Sequence, residues 1–525
     1  MLKSLNALAN PRDALGAAEK VAIIDVGSNS FRLIVITYLP GYYFQVTDEV
    51  RETVRLVHGI GQTGRLSRPA MDHAVEVMRL YRAFCDAQNI TDIVAVATSA
   101  VRDAQNQAEF LTRCETEAGI KVRVLSGEEE AYYGFLAAVN STTLKDGFVI
   151  DLGGGSLEIT RVENRRSIRG ISLVLGAVRM TEDWLTDAPT PNSAIERLRE
   201  HIHEQLRPLR WFKAQPDTQI VGQGGSLRNA ARIIQKAHAY PMDELHGYTF
   251  SSADLRRRLV RKMQSLSVAE RKQISGMKPD RADIALAGAV VVEECLRFSG
   301  YSELLVCSQG VREGLFYERF LRDLPEPRFK DVRAASVMNI AHLYHYHEAH
   351  AAHVADLALS MFDQVTQLTS DGLMGKAERH LLWAAAMLHD IGMSIDYNDH
   401  HRHSYYLILN SGLPGYSHRE LALIALAALY HRKGTPSLQG LDRTLSENDN
   451  QRLLKITACL RLAEQLDRSR DGAVRAIRLS KRSERMIQMH VESEVDVAVS
   501  KWSAQQHADI FEAAFGYALE INSHA

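Results

Sequence analysis

The sequence predicts an α/β protein whose first part is a duplicated lobe, followed by a helical region and a small α+β tail. Strand-like apolar runs alternate with helical patterns up to about residue 320. The motif D-x-G-x-x-S occurs twice between such runs, at Asp25 and at Asp151, which are 126 residues apart (151 − 25). From Val332 to about Leu466 almost every periodic segment is helical and histidine is frequent. The repeated motif indicates an internal duplication.

Each motif is predicted to be a tight turn between two strands, and the remaining elements follow from apolar periodicity. The predicted strands of the duplicated part are 21–25, 31–38, 93–97, 122–125, 149–151, 157–162, 218–221 and 303–306. The predicted helices are 71–88, 104–118, 128–139, 193–211, one that starts at 227, 282–297 and 310–320.

A proline-containing linker at 323–327 separates this part from the helical region. The tail combines strand patterns at 474–479 and 486–491 with a single predicted helix over 504–519. These changes predict four domains. They are lobe I (1–135), lobe II (136–322), an all-α domain (328–472) and a small α+β domain (473–525).

Composition excludes several classes of protein. The chain has 525 residues, of which 46% are hydrophobic and 24% charged, with a formal net charge of −2. This balance argues against extensive disorder, and it gives no general basic field for nucleic acid. The apolar runs are far too short to span a membrane. Five cysteines without a C-x-x-C pair predict free thiols in the cytoplasm.

The two turns have the chemistry of phosphate-binding loops. Glycines let backbone N–H groups approach a phosphate, and serine and asparagine side chains add donors. An aspartate at the strand end can hold a divalent cation that neutralises the phosphate. The phosphate-binding candidates are Gly27, Ser28, Asn29, Ser30, Gly153, Gly154, Gly155 and Ser156, and the metal candidates are Asp25, Asp151 and Glu158. The alternative is an ordinary glycine turn whose aspartate accepts hydrogen bonds from the turn itself.

Two further segments follow predicted strands. Thr98 and Arg102 are candidates for phosphate binding, although Arg102 can equally be a solvated surface arginine. Ser126 is predicted to cap a helix that opens with three glutamates, which suits the helix dipole. The functional alternative is that one of these carboxylates faces a cleft and activates a water molecule.

Taken together, these motifs resemble the exopolyphosphatase/guanosine pentaphosphate phosphohydrolase (Ppx/GppA) family, and the Gly310–Gly314 segment also matches. The resemblance covers roughly residues 20–320. It implies two ribonuclease-H-like lobes of the actin/Hsp70/sugar-kinase superfamily, Mg²⁺ or Mn²⁺ as cofactor, and a homodimer. It also implies that Glu129 is the general base, that Asp151 and Glu158 bind metal, and that Arg102 and Arg281 contact phosphate.

The histidine-rich region resembles the HD phosphohydrolase superfamily. That resemblance implies a transition-metal site at His350, His389, Asp390 and Asp467. His403 and His431 are candidates for a second metal or for a phosphate. The region can be a vestigial scaffold, a structural metal site or a second phosphohydrolase centre.

The leading functional prediction is metal-dependent hydrolysis of the terminal phosphoanhydride of inorganic polyphosphate. The second is hydrolysis of guanosine pentaphosphate to guanosine tetraphosphate, and both activities can coexist. A sensor that binds without turnover and a sugar or acetate kinase are the alternatives from other classes. The basic run Arg256–Lys262 is either a solvated helix face or a track for a polyanion.

Overall fold

A computed structural model describes residues 18–369 and 372–524 of the chain. The chain forms two compact units, and the boundary between them lies between Val332 and Arg333. Each unit is described separately below. None of the helices in the described ranges is both long and apolar enough to cross a membrane.

The first sheet of unit 1 has five strands in the order β3-β2-β1-β4-β5. Strands β1 and β2 are antiparallel and are joined by the first predicted turn, while β4 and β5 run parallel to β1. Strand β3 adds an antiparallel edge. The bounds are β1 Glu19–Val26, β2 Ser30–Leu39, β3 Tyr43–Thr53, β4 Ile93–Ala97 and β5 Val122–Val124.

The second sheet repeats this topology. Its order is β8-β7-β6-β9-β11, with β10 as an additional antiparallel strand at the edge. Strand β6 pairs antiparallel with β7 and parallel with β9, as β1 pairs with β2 and β4. The bounds are β6 Gly147–Leu152, β7 Leu157–Glu163, β8 Arg166–Leu173, β9 Gln219–Gln223, β10 Thr249–Ser251 and β11 Glu303–Val306. The predicted duplication is therefore present in the fold.

Helices cover the sheets and close the cores of unit 1. Helix α12 (Ala285–Ser299) is buried over most of its length, and its first eight residues are Ala, Leu, Gly and Val. Helix α13 (Val311–Phe320) packs on α5 (Gly127–Ser141) and on β1, so the last helix of the unit returns to the first sheet. The helices are α1 Ile60–Thr63, α2 Arg68–Ala87, α3 Ser99–Arg102, α4 Gln107–Ala118, α5 Gly127–Ser141, α6 Ala177–Trp184, α7 Asn192–Leu206, α8 Gly225–Ala237, α9 Ser252–Asp254, α10 Arg261–Gln264, α11 Val268–Arg271, α12 Ala285–Ser299 and α13 Val311–Phe320.

The basic run predicted as a helix face lies mostly in a π-helical segment, Leu255–Val260. Arg256 pairs with the buried Glu293, and Arg257 pairs with Asp254 at 3.1 Å. These two arginines of the run therefore form ion pairs within unit 1.

Six α-helices form the first part of unit 2, the first of which starts at the boundary residue: α14 Val332–Leu343, α15 Glu348–Thr369, α16 Lys376–Leu388, α17 His400–Ser411, α18 His418–Tyr430 and α19 Glu447–Leu466. Helices α16, α18 and α19 pack against one another, and α18 is buried along most of its length. A buried polar residue caps the C-terminal end of each of α16, α18 and α19. These residues are His389, His431 and Asp467, all named above as candidates for metal or phosphate binding.

The tail of unit 2 has a three-stranded sheet, β12 Val474–Ser483, β13 Met486–Ser493 and β14 Ala518–His524, with two short helices, α20 Ala498–Gln505 and α21 Ala508–Phe515. The predicted single helix over 504–519 is wrong. Gly516 adopts a left-handed conformation (φ 76°) that ends α21, and the following residues pair as a parallel strand with β13.

The tail is not separate from the helices of unit 2. The Gln364 side chain on α15 donates to the carbonyl of Ile477 at 3.0 Å and accepts from the amide of Leu479 at 2.7 Å. Ser503 donates to Gln465 at 2.6 Å.

In unit 1, the predicted lobe boundary at residues 135 and 136 falls inside α5. This helix belongs to a core that includes residues of both sheets.

Candidate active site

The two predicted turns lie against each other in a cleft of unit 1. A Cβ placed on Gly154 would be 3.2 Å from the backbone nitrogen of Asn29. The Ser28 hydroxyl lies 2.9 Å from the Ser99 hydroxyl and accepts from the amide of Ala100 at 3.2 Å. Most of the predicted phosphate-binding residues line this cleft, namely Gly27, Ser28, Asn29, Ser30, Thr98, Gly153, Gly154, Ser156 and Arg281.

Gly155 stands behind the cleft and does not line it. A Cβ on this residue would come within 2.9 Å of the Ser28 hydroxyl and would also overlap the Ser99 hydroxyl. The absence of a side chain therefore allows the second turn to pack on the first. Gly155 has a structural role in keeping the two turns together.

Five carboxyl groups line the cleft, from Asp25, Asp151, Glu158, Glu130 and Glu313, and of these Glu130 and Glu158 are buried. Burial raises the pKa of Asp25, although the Arg312 charge opposes this change. Burial also raises the pKa of Asp151 to about 6. The pKa of Glu158 is raised by burial and by the charges of Glu130 and Asp151. The cleft thus holds several carboxylates that would be stabilised by a cation.

Glu129, the predicted general base, does not line the cleft. Its carboxylate accepts from the amide of Ser126 at 2.8 Å, and the Ser126 hydroxyl accepts from the amide of Glu129 at 3.1 Å. It also pairs with Arg123 at 3.2 Å, and 43% of its side-chain surface is exposed. This is a capping box, so the Glu129 carboxylate stabilises the start of α5. The predicted position of this residue at the cleft is wrong.

The carboxylate of this segment that reaches the cleft belongs to Glu130. Its side chain is buried and pairs with Arg102, at 2.8 Å between Oε2 and Nη1. Burial raises the pKa of Glu130 to about 7, against the opposing effect of Arg102. A carboxylate with this pKa can accept a proton near neutral pH.

Arg102, predicted to contact phosphate, instead contacts protein groups beside the cleft. Besides Glu130, its guanidinium donates to the carbonyl of Leu125 at 3.1 Å, and it is absent from the cleft lining. Its observed contacts orient Glu130, so the structure does not support direct phosphate contact by Arg102.

Three arginines that sequence analysis did not assign join Arg281 in the cleft, namely Arg32, Arg228 and Arg312. Burial and the charges of Arg228 and Arg312 lower the pKa of Arg32 to about 9. Burial and the Arg51 and Arg228 charges lower the pKa of Arg281 to about 10. Mutually repelling, buried cations of this kind would be stabilised by a polyanion.

The duplication offered a signal for one of these arginines. Arg32 pairs with Asp25 across the first hairpin as Glu158 pairs with Asp151 across the second. The two hairpins thus place a cation and an anion at equivalent positions. Arg312 lies in the predicted Gly310–Gly314 motif, where only its burial identifies it as part of the site.

The fit to Mg²⁺ or Mn²⁺ rests on the donor set. Asp25, Asp151 and Glu158 offer oxygen atoms, which both ions prefer. Within the described residues 18–369 and 372–524, the carboxylate oxygens of these three residues do not all lie within 4.8 Å of one another. The arrangement suits a hard cation that keeps water ligands and takes others from phosphate oxygens.

In unit 2, the structure brings together His350, His389 and Asp390 as predicted. Asp467 lies behind this group, because its carboxylate accepts from Nδ1 of His350 at 2.7 Å. Glu464, which sequence analysis missed, lies 2.9 Å from Nε2 of His350. His431 joins the group, whereas His403 does not.

Comparison with known proteins gives two family matches. The model described as the Ppx/GppA phosphatase family matches residues 35–323, and the model of Ppx/GppA phosphatase, domain III, matches residues 332–507.

Solved structures also resemble part of this chain. A Ppx/GppA family member from Aquifex aeolicus is 27% identical, with 59% of this chain and 100% of that chain covered and a TM-score of 0.51. An exopolyphosphatase-like protein is 26% identical, with 58% and 100% covered and a TM-score of 0.52. An exopolyphosphatase from Cytophaga hutchinsonii shares the fold at 24% identity, with 59% and 100% covered and a TM-score of 0.54.

The duplicated lobes, the paired turns and the carboxylates between them agree with the family match. Because that match spans more than half of the chain, the protein belongs to the Ppx/GppA phosphatase family.

Proposed function

We propose that this protein is an exopolyphosphatase, which hydrolyses the terminal phosphoanhydride of inorganic polyphosphate and releases orthophosphate. The observation that carries this proposal is a second chamber that continues from the cleft. The two cavities share Arg32, Arg228, Arg281 and Arg312. The continuity supports a substrate whose end lies at the turns and whose remaining phosphates extend into the chamber.

The chamber is suited to a polyanion. Seven basic side chains line it, against two acidic ones. Beyond the shared arginines, they include Arg51, Arg232 and Lys278. Burial and the charges of Arg232 and Arg51 lower the pKa of Lys278, so its charge is also poorly compensated. Within the described ranges, no aromatic side chain lines the chamber. A nucleobase would therefore find no aromatic ring to stack on.

The proposed reaction needs a water molecule, a base and a stabilised leaving group. Glu130 accepts a proton from the water as the water oxygen attacks the terminal phosphorus. The bond between that phosphorus and the bridging oxygen breaks, and the shortened chain leaves with the bridging oxygen. Backbone amides of the two turns and the Arg32 and Arg281 guanidinium groups stabilise the charge on the phosphate oxygens.

Arg102 and the carboxylates have supporting roles in this proposal. Arg102 holds Glu130 in place and lowers its pKa. Asp25, Asp151 and Glu158 would hold Mg²⁺, which when bound neutralises phosphate charge and polarises the terminal phosphate.

A second candidate is the hydrolysis of guanosine pentaphosphate. It is favoured by an apolar part of the chamber wall, formed by Ile34, Val46 and Leu245. This surface can contact the face of a purine ring. The same turns and the same base would serve both substrates.

The test measures orthophosphate release with Mg²⁺ from long-chain polyphosphate and from guanosine pentaphosphate in parallel. We expect a higher kcat/KM for polyphosphate. A higher kcat/KM for the nucleotide would make the second candidate the function. Absence of release from both would contradict the proposal.

A further inference from the structure

Of the residues that the structure describes, two acidic ones line the basic chamber of unit 1, Glu49 and Glu313. Glu49 lies on β3, two residues before Arg51, and alternation along the strand directs both side chains to the same face. The Glu49 carboxylate accepts from Nη1 of Arg312 at 3.2 Å, and 52% of its side-chain surface is exposed. Arg312 lines both the cleft and the chamber, so Glu49 lies beside the passage between them.

The other acid of the chamber, Glu313, is held by the start of a helix. Its Oε2 accepts from the amide of Gly310 at 2.7 Å, which satisfies a backbone donor at the start of α13. Its Oε1 lies 3.6 Å from Nη2 of Arg312. Arg312 therefore keeps a carboxylate neighbour when the Glu49 charge is removed, and Glu49 is free of any such capping role.

A second arginine of the chamber wall, Arg51, is paired in a different way. Its partner is Asp280, which lines neither the chamber nor the cleft. The Asp280 carboxylate thus stabilises Arg51 without entering the space that a substrate would fill. Glu49, in contrast, pairs with Arg312 from within that space.

Glu49 places a negative charge in the chamber. Burial opposes its ionisation, but the charges of Arg312, Arg32 and Arg228 outweigh burial and lower the pKa of Glu49. Because a carboxylate is ionised well above its pKa, Glu49 is charged at neutral pH. A phosphate chain in the chamber would therefore meet one fixed negative charge among the arginines. Its oxygens would compete with the Glu49 carboxylate for hydrogen bonds from Arg312.

We propose that Glu49 competes for Arg312 with the phosphates behind the terminal one and thereby limits how tightly the chamber holds a long chain. This role rests on the proposed function, because it requires polyphosphate in the chamber. A chain that has lost its terminal phosphate must move forward or leave before the next cleavage. While the chain moves, the Glu49 carboxylate replaces phosphate at Arg312, so this buried arginine keeps a partner.

The sign of the effect on binding separates this role from the opposite one. If the ion pair oriented Arg312 towards the substrate, removal of the Glu49 charge would weaken the binding of polyphosphate. If Glu49 competes with phosphate, removal of the same charge strengthens binding. The Kd for polyphosphate therefore distinguishes a competing carboxylate from a positioning one.

The experiment measures the Kd of the full chain for long-chain polyphosphate by isothermal titration calorimetry. EDTA is present, because the proposed reaction needs a divalent cation and the chain then stays intact. Glu49→Gln keeps the size of the side chain and removes its charge. We expect its Kd to be about two- to fivefold lower than that of the wild type, the range of a partly exposed ion pair. The plot of log Kd against log salt concentration should become steeper by about one unit.

Glu52→Gln is the matched control for this substitution. It makes the same charge change on β3, but Glu52 does not line the chamber. Burial and the Glu52 charge instead raise the pKa of Tyr81. The Kd of Glu52→Gln should match the wild type, and so should that of Glu49→Asp, which retains the negative charge.

Thermal unfolding shows whether each variant is folded, and Glu49→Ser replaces Glu49→Gln if the latter is not. An unchanged or higher Kd in Glu49→Gln would overturn the role of Glu49, and so would an equal decrease in Glu52→Gln. Absence of polyphosphate binding by the wild type would overturn it together with the proposed function. Orthophosphate release with Mg²⁺ is measured separately. Release with equal Kd values contradicts the role of Glu49 alone, whereas binding without release contradicts the proposed function.

Discussion

Replacing Glu130 by glutamine separates the proposed base from its neighbour Glu129. Glutamine keeps the size of the side chain, and its carbonyl oxygen can still accept from Arg102. It cannot accept a proton from water. The substitution also removes a buried negative charge that raises the pKa of Glu158, so we expect no loss of thermal stability.

The expected change in kcat or in stability follows from the role of each glutamate. General-base catalysis contributes about 10²- to 10⁴-fold, so Glu130→Gln should lower kcat by that factor, or about 3–5 kcal/mol in the barrier. Glu129→Ala removes one capping hydrogen bond of α5, at 2.8 Å, and one partly exposed ion pair. It should cost about 0.5–2 kcal/mol of stability and leave kcat within about twofold.

The assay compares the initial rates of orthophosphate release at saturating polyphosphate with thermal unfolding of the same preparations. Wild type, Glu130→Gln and Glu129→Ala are measured together. A folded Glu129→Ala variant without activity, beside an active Glu130→Gln variant, would refute the assignment of the base.

Three further outcomes are expected in unit 1. Burial raises the pKa of the proposed base to about 7, so kcat/KM should rise as pH increases through about 7. In Arg102→Gln the rise of kcat/KM should move to higher pH, because Arg102 lowers the pKa of Glu130. An unchanged pH profile would contradict this role of the ion pair. Arg32→Gln should raise KM for long polyphosphate and reduce its salt dependence by about one unit of log–log slope, whereas Arg256→Gln should change neither. Gly155→Ala should separate the two turns and raise KM, while Gly153→Ala, whose Cβ would be 3.4 Å from its nearest neighbour, should have little effect. Equal effects of the two glycine substitutions in steady-state kinetics would contradict the packing argument.

The sequence predicted the central strands better than the edge strands. Ile93–Ala97 and Glu303–Val306 have the predicted bounds because they are short apolar runs. Tyr43–Thr53 and Arg166–Leu173 were missed. Both are antiparallel strands at the side of their sheets, and their exposed faces carry charged residues that hide the strand pattern. Their pairing depends on a neighbour that the local pattern does not reveal.

The turns of the site were predictable because glycine, aspartate and serine have specific uses there. The choice between Glu129 and Glu130 was also present in the sequence. The spacing from Ser126 to Glu129 is that of a capping box, which commits Glu129 to the helix start. The arginines were not predictable in the same way. Arg228 and Arg312 line the cleft together only because helices from distant parts of the chain meet there.

The histidine group of unit 2 was also predicted only in part from the sequence. His350, His389 and Asp390 were identified from their order along the chain. Glu464 lies one helical turn before Asp467 on α19, and sequence order alone does not say which carboxylate faces the imidazoles. In the structure both do: Asp467 contacts Nδ1 of His350, whereas Glu464 lies close to Nε2 of both His350 and His389.

The most direct test of the central claim is a crystal structure of the Glu130→Gln variant with Mg²⁺ and a short polyphosphate. The account predicts the terminal phosphate between the turns that contain Ser28 and Ser156, with the following phosphates directed towards Arg281 and Lys278. An empty cleft in unit 1, with polyphosphate bound at the histidine group of unit 2, would contradict it.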